Sequence, residues 1–308
     1  MTDLLLHHYA TSPYAEKIRA ILGWKQLAWK SVRIPSVMPK PDLTALTGGY
    51  RKTPVLQIGA DIYCDTKLIA RVIERLHPQP ALVPTGREAH CAMVEEWSEK
   101  LFTLCVPVAF AYPAAVAHNF SQMGAVSPEL FQKDRAEMFA AGGGKRPSGA
   151  LSRHELPGFL ARLESQLGTS AFLDGAAPTL ADFSVFHPIW FIWHNPGAQP
   201  FLQPYPNIRA WCERIAAFGH GHGEELSGAD AVTLARDSKP LAGGAVNDPT
   251  GLKAGDAVAV AATDYGVDAV TGTLVHADLF EVALRREDPR AGEVVVHFPR
   301  AGFRVEKA

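Results

Sequence analysis

The chain has 308 residues, of which 47% are apolar and 20% charged, and its formal net charge is -2. That length allows two or three domains, and the composition is that of a folded globular protein. Near-neutral charge argues against nucleic acid as a partner, and no acidic block predicts a disordered tail.

No apolar run approaches the roughly 20 residues that span a bilayer, so no membrane partner is expected. Residues 1–7 lack the basic flank of a secretory signal. The four cysteines, Cys64, Cys91, Cys105 and Cys212, form no CxxC pair and are too sparse for a disulfide scaffold. The expectation is a protein of a reducing, cytoplasmic compartment.

In chain order, residues 4–8 predict a short buried strand and residues 12–22 a helix. Tyr14, Ile18, Ile21 and Leu22 share one helical face. Gly23 stops that helix, and residues 28–34 predict a second strand. Strand, helix and strand imply a parallel pair with a crossover. Residues 35–49 read as loop with a short helix. Residues 54–58 and 61–63 predict a hairpin across Gly59-Ala60. Asp65 then caps a helix to about Leu76. The first 78 residues thus predict a compact α/β domain.

A Pro-rich linker follows, with Pro78, Pro80 and Pro84. Residues 87–222 predict an all-α domain, its first helix kinked or ended near Pro107. Residues 142–149 read as loop, without the spacing of a phosphate cradle. Within residues 245–308, short β-branched runs split by Gly, Asp and Pro predict a small barrel or sandwich of about five strands. From Asn247 onward there are seven Lys/Arg and ten Asp/Glu, so an RNA-binding barrel, which should be basic, is not expected.

Three short motifs carry chemistry. Ser12-Pro13 opens the first helix, and its hydroxyl lies where unpaired N–H groups favour an anion. A free thiol of pKa ~8.5 is only a few per cent ionised at pH 7. Lowering it by ~2 units takes about 2.7 kcal/mol, the order that a charge-assisted hydrogen bond plus a helix end supplies. Thr53-Pro54 enters a strand. A trans turn proline satisfies that pattern, whereas a cis bond would turn the Thr53 backbone toward a peptide ligand as an added strand. Asp65-Thr66 opens a helix that suits a ligand carboxylate, while Asp65 suits an ammonium. Each motif alone has an ordinary structural explanation.

Their order and strand context resemble the cytosolic glutathione S-transferases, over residues 1 to about 220. The resemblance rests on Ser12-Pro13-Tyr14-Ala15, Thr53-Pro54-Val55-Leu56, Asp65-Thr66 with Ile69, and the capping box Thr179-Leu180-Ala181-Asp182-Phe183. It implies a thioredoxin-like first domain and a helical second domain. It also implies a dimer along the last helix of the first domain, and a detoxifying transferase. By that resemblance Ser12 is the catalytic serine that stabilises the glutathione thiolate. Thr53 and Pro54 hold the cysteinyl backbone, Asp65 and Thr66 the γ-glutamyl end, and Lys40 the glycine carboxylate. Many relatives carry Val before the proline and Glu-Ser in the last motif; this chain has Thr and Asp-Thr. Tyr9 and Tyr14 are secondary candidates. Trp97, Phe102, Phe110 and Tyr112 are expected to wall the pocket of a small hydrophobic electrophile. Glutathione is the expected co-substrate, with no metal. The alternatives are a glutathione-dependent isomerase, dehalogenase or peroxidase, or a non-catalytic binding protein on the same fold.

Overall fold

The computed structural model describes residues 3–143, 147–241 and 243–308; part of the loop expected at residues 142–149 lies outside them. The first unit runs β1 (Leu5–His8), α1 (Pro13–Trp24), β2 (Ala28–Arg33), α2 (Pro41–Thr47), β3 (Val55–Ile58), β4 (Asp61–Cys64) and α3 (Thr66–Leu76). Its strands lie in the order β4-β3-β1-β2, with β1 and β2 parallel and the rest antiparallel. This is the thioredoxin-like arrangement expected. The hairpin turns at Gly59, whose φ of 60° suits a residue without Cβ.

The second unit is helical: α4 (Glu88–Ala109), α5 (Pro113–Ser121), α6 (Pro128–Ala140), α7 (Gly149–Leu167), α8 (Leu180–Trp193) and α9 (Pro206–Ala216). α4 continues through Pro107 to Ala109 rather than stopping there. α8 is buried from Leu180 to Ile192, as suits a helix apolar on all sides at the centre of a bundle. Its start is held by the capping box. Asp182 accepts from Thr179 N at 3.0 Å, Leu173 N at 2.8 Å and Trp211 Nε1 at 2.9 Å. One apolar core joins α1 and α3 to α4, α7 and α8.

After α9 come β5 (His222–Leu226) and α10 (Gly228–Asp237), neither of which the periodicity announced. Then follow β6 (Ala257–Ala262), β7 (Val270–Ala277), β8 (Glu281–Asp288), β9 (Gly292–Pro299) and β10 (Phe303–Lys307). These five strands form the antiparallel run β10-β6-β7-β8-β9. They do not stand apart from the first unit. β9 pairs in parallel with β4, and β5 pairs in parallel with β2, so all ten strands make one sheet. Both edges that the thioredoxin-like sheet would leave open are thereby covered. A second core fills the space between α2, α10 and the added strands.

The β4–β9 seam carries a buried charged knot. His297 Nδ1 lies 2.6 Å from Glu281 and Nε2 lies 3.0 Å from Asp61, with the ring stacked on Tyr63 at 4.3 Å. All four cysteines are free and buried. Among the described residues no single helix is long and apolar enough to cross a membrane.

Candidate functional site

The turn between β1 and α1 is fixed from behind. Arg19 donates to Ala10 O at 2.9 Å, to Tyr9 O at 3.3 Å and to Glu16 at 2.7 Å. Glu16 in turn meets His220 Nε2 at 3.0 Å. His220 therefore helps brace this turn. His7 and His8 sit back in the sheet, hydrogen-bonded to Gln57 and Ser31. Burial lowers their pKa values to about 4 and about 2, so both rings are neutral.

Ser12 is the N-cap of α1 and is almost wholly buried. Its Oγ accepts from Ala15 N at 3.2 Å, which leaves the hydroxyl proton free to donate. Two residues on, Tyr14 donates to Glu99 Oε2 of α4 at 2.5 Å. The tyrosine ring packs on Phe102 at 4.7 Å and on His187 at 4.5 Å. Burial and the adjacent Glu99 carboxylate push the Tyr14 pKa well up, so it stays a phenol. The nearby pair Lys17–Glu95, 2.5 Å apart and buried, ties α1 to α4.

The Thr53–Pro54 bond is cis, and Thr53 precedes the paired register of β3, which begins at Val55. Lys40, buried just before α2, donates to Thr53 Oγ1 at 3.1 Å. The loop before α2 thus brings Lys40 to Thr53. Burial, with the like charges of Arg135 and Arg51, lowers the Lys40 pKa to about 7.

Asp65 caps α3 and accepts from Lys67 N at 2.9 Å. Its φ is 73°, a left-handed conformation that costs a non-glycine residue on the order of 1–3 kcal/mol and concentrates at ligand sites. Thr66, next to it, is buried at the first helical position.

Other candidates are placed differently. Tyr9 Oη accepts from Arg135 of α6 at 3.3 Å, and Lys40 lies 5.8 Å from its ring, so that side chain is engaged with α6 and α2. Among the four aromatic candidates, Phe102 is the one that contacts Tyr14. Trp97 stacks on Phe159 of α7, Phe110 meets Phe131 and Phe191, and Tyr112 caps α5 at 40% exposure. Sequence periodicity could not show that α4 and the turn after it set these rings against different neighbours. Glu99, which accepts from Tyr14, and the contacting pair Lys52 and Tyr265 beside Thr53 carried no local signal, because each is defined by partners far along the chain.

Two family models match: the glutathione S-transferase N-terminal domain over residues 6–81 and the C-terminal domain over residues 139–214. A GST-like protein from Pseudomonas syringae is 46% identical over 100% of both chains, with a TM-score of 0.81. The chain belongs to the glutathione S-transferase-like family. This family member also shares its fold with a glutathione transferase, GSTFuA3, from Phanerochaete chrysosporium, at 19% identity and a TM-score of 0.56. That match covers 70% of this chain and 97% of the other. A glutathione S-transferase from Rhodospirillum rubrum F11 is 17% identical with a TM-score of 0.51, covering 70% and 88%. No curated protein matches the sequence.

Proposed function

We propose that the chain is a glutathione transferase in which Ser12 activates the thiol of bound glutathione. The observation that supports the reading is the presence in the first unit of two helix starts and one cis-proline turn, each bearing a motif residue. Ser12 stands at the head of α1, Thr53 before Pro54, and Asp65-Thr66 at the head of α3, with Lys40 on Thr53. Glutathione would lie along Thr53. Its γ-glutamyl carboxylate would meet the unpaired N–H groups of α3 and its ammonium would meet Asp65. The Ser12 hydroxyl donates to the sulfur and favours the thiolate, the thiol proton passing to solvent. The sulfur then bonds to an electrophilic carbon. The electron pair it displaces departs with the leaving group or moves onto the electrophile, and Ser12 keeps its proton.

Calorimetric titration of reduced glutathione tests the reading directly. Saturable binding in the micromolar-to-millimolar range is the expected result. An absence of heat at two temperatures would overturn it and favour a non-catalytic member of the family.

Lys40 gives the binding reaction a proton signature. With its pKa lowered to about 7, the free site is partly neutral at pH 7. A ligand carboxylate favours the ammonium, so binding takes up roughly half a proton at pH 7 and affinity falls as pH rises through that value. S-methylglutathione, which has no thiol to titrate, isolates this term. The slope of its binding heat against buffer ionisation enthalpy should be positive for the native chain and near zero for Lys40→Met. A zero slope in the native chain removes Lys40 as the carboxylate partner.

A further inference from the structure

The turn between β6 and β7 reaches across the molecule to Lys52 and α6, beside the residues just described. Lys52, the residue before Thr53, donates to Asp264 Oδ1 at 2.6 Å and lies 4.3 Å from the centre of the Tyr265 ring. Phe139 of α6 stacks on that ring at 4.5 Å with 12° between the planes. Gly266 N donates to Met138 O at 2.7 Å. The fit at the backbone is close: a Cβ on Gly142 would stand 1.9 Å from the Asp264 carbonyl oxygen.

These contacts fix what Tyr265 offers. Phe139 and the Lys52 ammonium cannot share one face of the ring at such distances, so neither face is open to an aromatic ligand. The hydroxyl edge remains. It lies within electrostatic reach of the Tyr14 hydroxyl, itself committed as donor to Glu99, and it feels the Asp65 charge. Tyr265 therefore joins the residues at the heads of α1 and α3.

Two unpartnered groups flank the same place. Tyr50 Oη is buried without a hydrogen-bond partner, and Asp65, Tyr265 and Asp264 act on it electrostatically. Both ring nitrogens of the fully buried His187 lack partners, with its ring 4.5 Å from Tyr14. Each is a polar group that the protein itself leaves without a hydrogen-bond partner.

We propose that Tyr265 is a substrate-binding residue supplied by the C-terminal strands: its hydroxyl donates to an oxygen on the group carried by the glutathione sulfur. The site then selects carbonyl-bearing electrophiles over hydrocarbons of the same shape. This refines the expected hydrophobic pocket, and it rests on the glutathione reading above. On ligand binding the Tyr265 hydroxyl donates to the ligand oxygen, and the Tyr14–Glu99 bond is kept.

S-acetonylglutathione and S-propylglutathione differ by a carbonyl oxygen in place of two hydrogens. The native chain should bind the acetonyl compound about fivefold more tightly, the size of one net hydrogen bond. Tyr265→Phe should bring that ratio to about one and leave S-propylglutathione within about twofold. Gly142→Ala, whose Cβ would meet the Asp264 carbonyl oxygen and stand 2.9 Å from Tyr265 Cα, displaces the turn that carries Tyr265 and should also collapse the ratio, with folding checked by near-ultraviolet circular dichroism. A native ratio of one, or a ratio that survives in Tyr265→Phe, overturns the proposal while leaving glutathione binding intact. Absence of binding by glutathione itself would instead overturn the parent reading, and this one with it.

Discussion

Replacing Ser12 with alanine lowers turnover of 1-chloro-2,4-dinitrobenzene by about 10- to 100-fold and leaves glutathione affinity within about twofold. The magnitude follows from one lost charge-assisted hydrogen bond, worth about 1.5–3 kcal/mol to the thiolate. The neutral thiol gains little from that bond, so binding of the ground state changes little. The pKa of the bound thiol, followed through thiolate absorbance, should return toward ~8.5 in the variant. Ser12 Oγ also caps α1, so the variant loses about 1 kcal/mol of stability as well. Assay temperatures well below the unfolding midpoint separate the two effects. If turnover and thiol pKa are both unchanged, Ser12 has no part in activation and Tyr9→Phe becomes the variant to make.

Replacing His297 with alanine should cost about 3–5 kcal/mol, because it strands two buried carboxylates, Asp61 and Glu281, on opposite sides of an empty position. The loss falls on the seam where β9 meets β4, so proteolysis should reach residues 245–308 before the helical unit. The pH dependence has a definite sign. Burial opposes a charged His297, but hydrogen bonds with Asp61 and Glu281 outweigh it and raise the pKa above 6.5. A raised histidine contributes its full stability below about 6.5 and loses it as pH rises through the folded value. Glu281 runs the other way. Burial works against its charge, but His297 dominates and lowers the pKa, so its contribution is lost as pH falls below the ordinary carboxylate range. Lys40, whose pKa is lowered to about 7, adds stability as pH rises above that value, so the His297 contribution is read as a difference between chains. The excess urea midpoint of the native chain over His297→Gln should be largest in mildly acidic solution and shrink toward pH 9. A constant excess from pH 6 to pH 9 would remove His297 as the source of the pH dependence.

Local signals carried the first 78 residues far. The Ser12-Pro13 start, the hairpin at Gly59 and the Asp65 cap all lie within a few residues of the groups they satisfy, and each appears where expected. The capping box of Thr179 and Asp182 was equally legible. α5 and the β5–α10 segment were not. α5 has a weak pattern between two other helices, and β5, His222–Leu226, is mostly exposed and polar. Such a strand is specified by the open edge of β2 rather than by its own side chains.

The sequence by itself therefore determined the thioredoxin-like and helical units, the five C-terminal strands and the motifs at Ser12, Thr53-Pro54 and Asp65-Thr66. Tertiary structure alone decided that the C-terminal strands fuse with the β4 edge and that Lys40 meets Thr53. It also decided that Tyr265 packs between Lys52 and Phe139 and that His297 bridges two carboxylates. The reason is range. Caps, turns and periodicity act through neighbours three or four positions away, whereas Lys52 finds Asp264 across 212 residues and Asp61 finds His297 across 236. No local pattern encodes such a pair, because its energy exists only once the chain has folded and removed water from between the two groups.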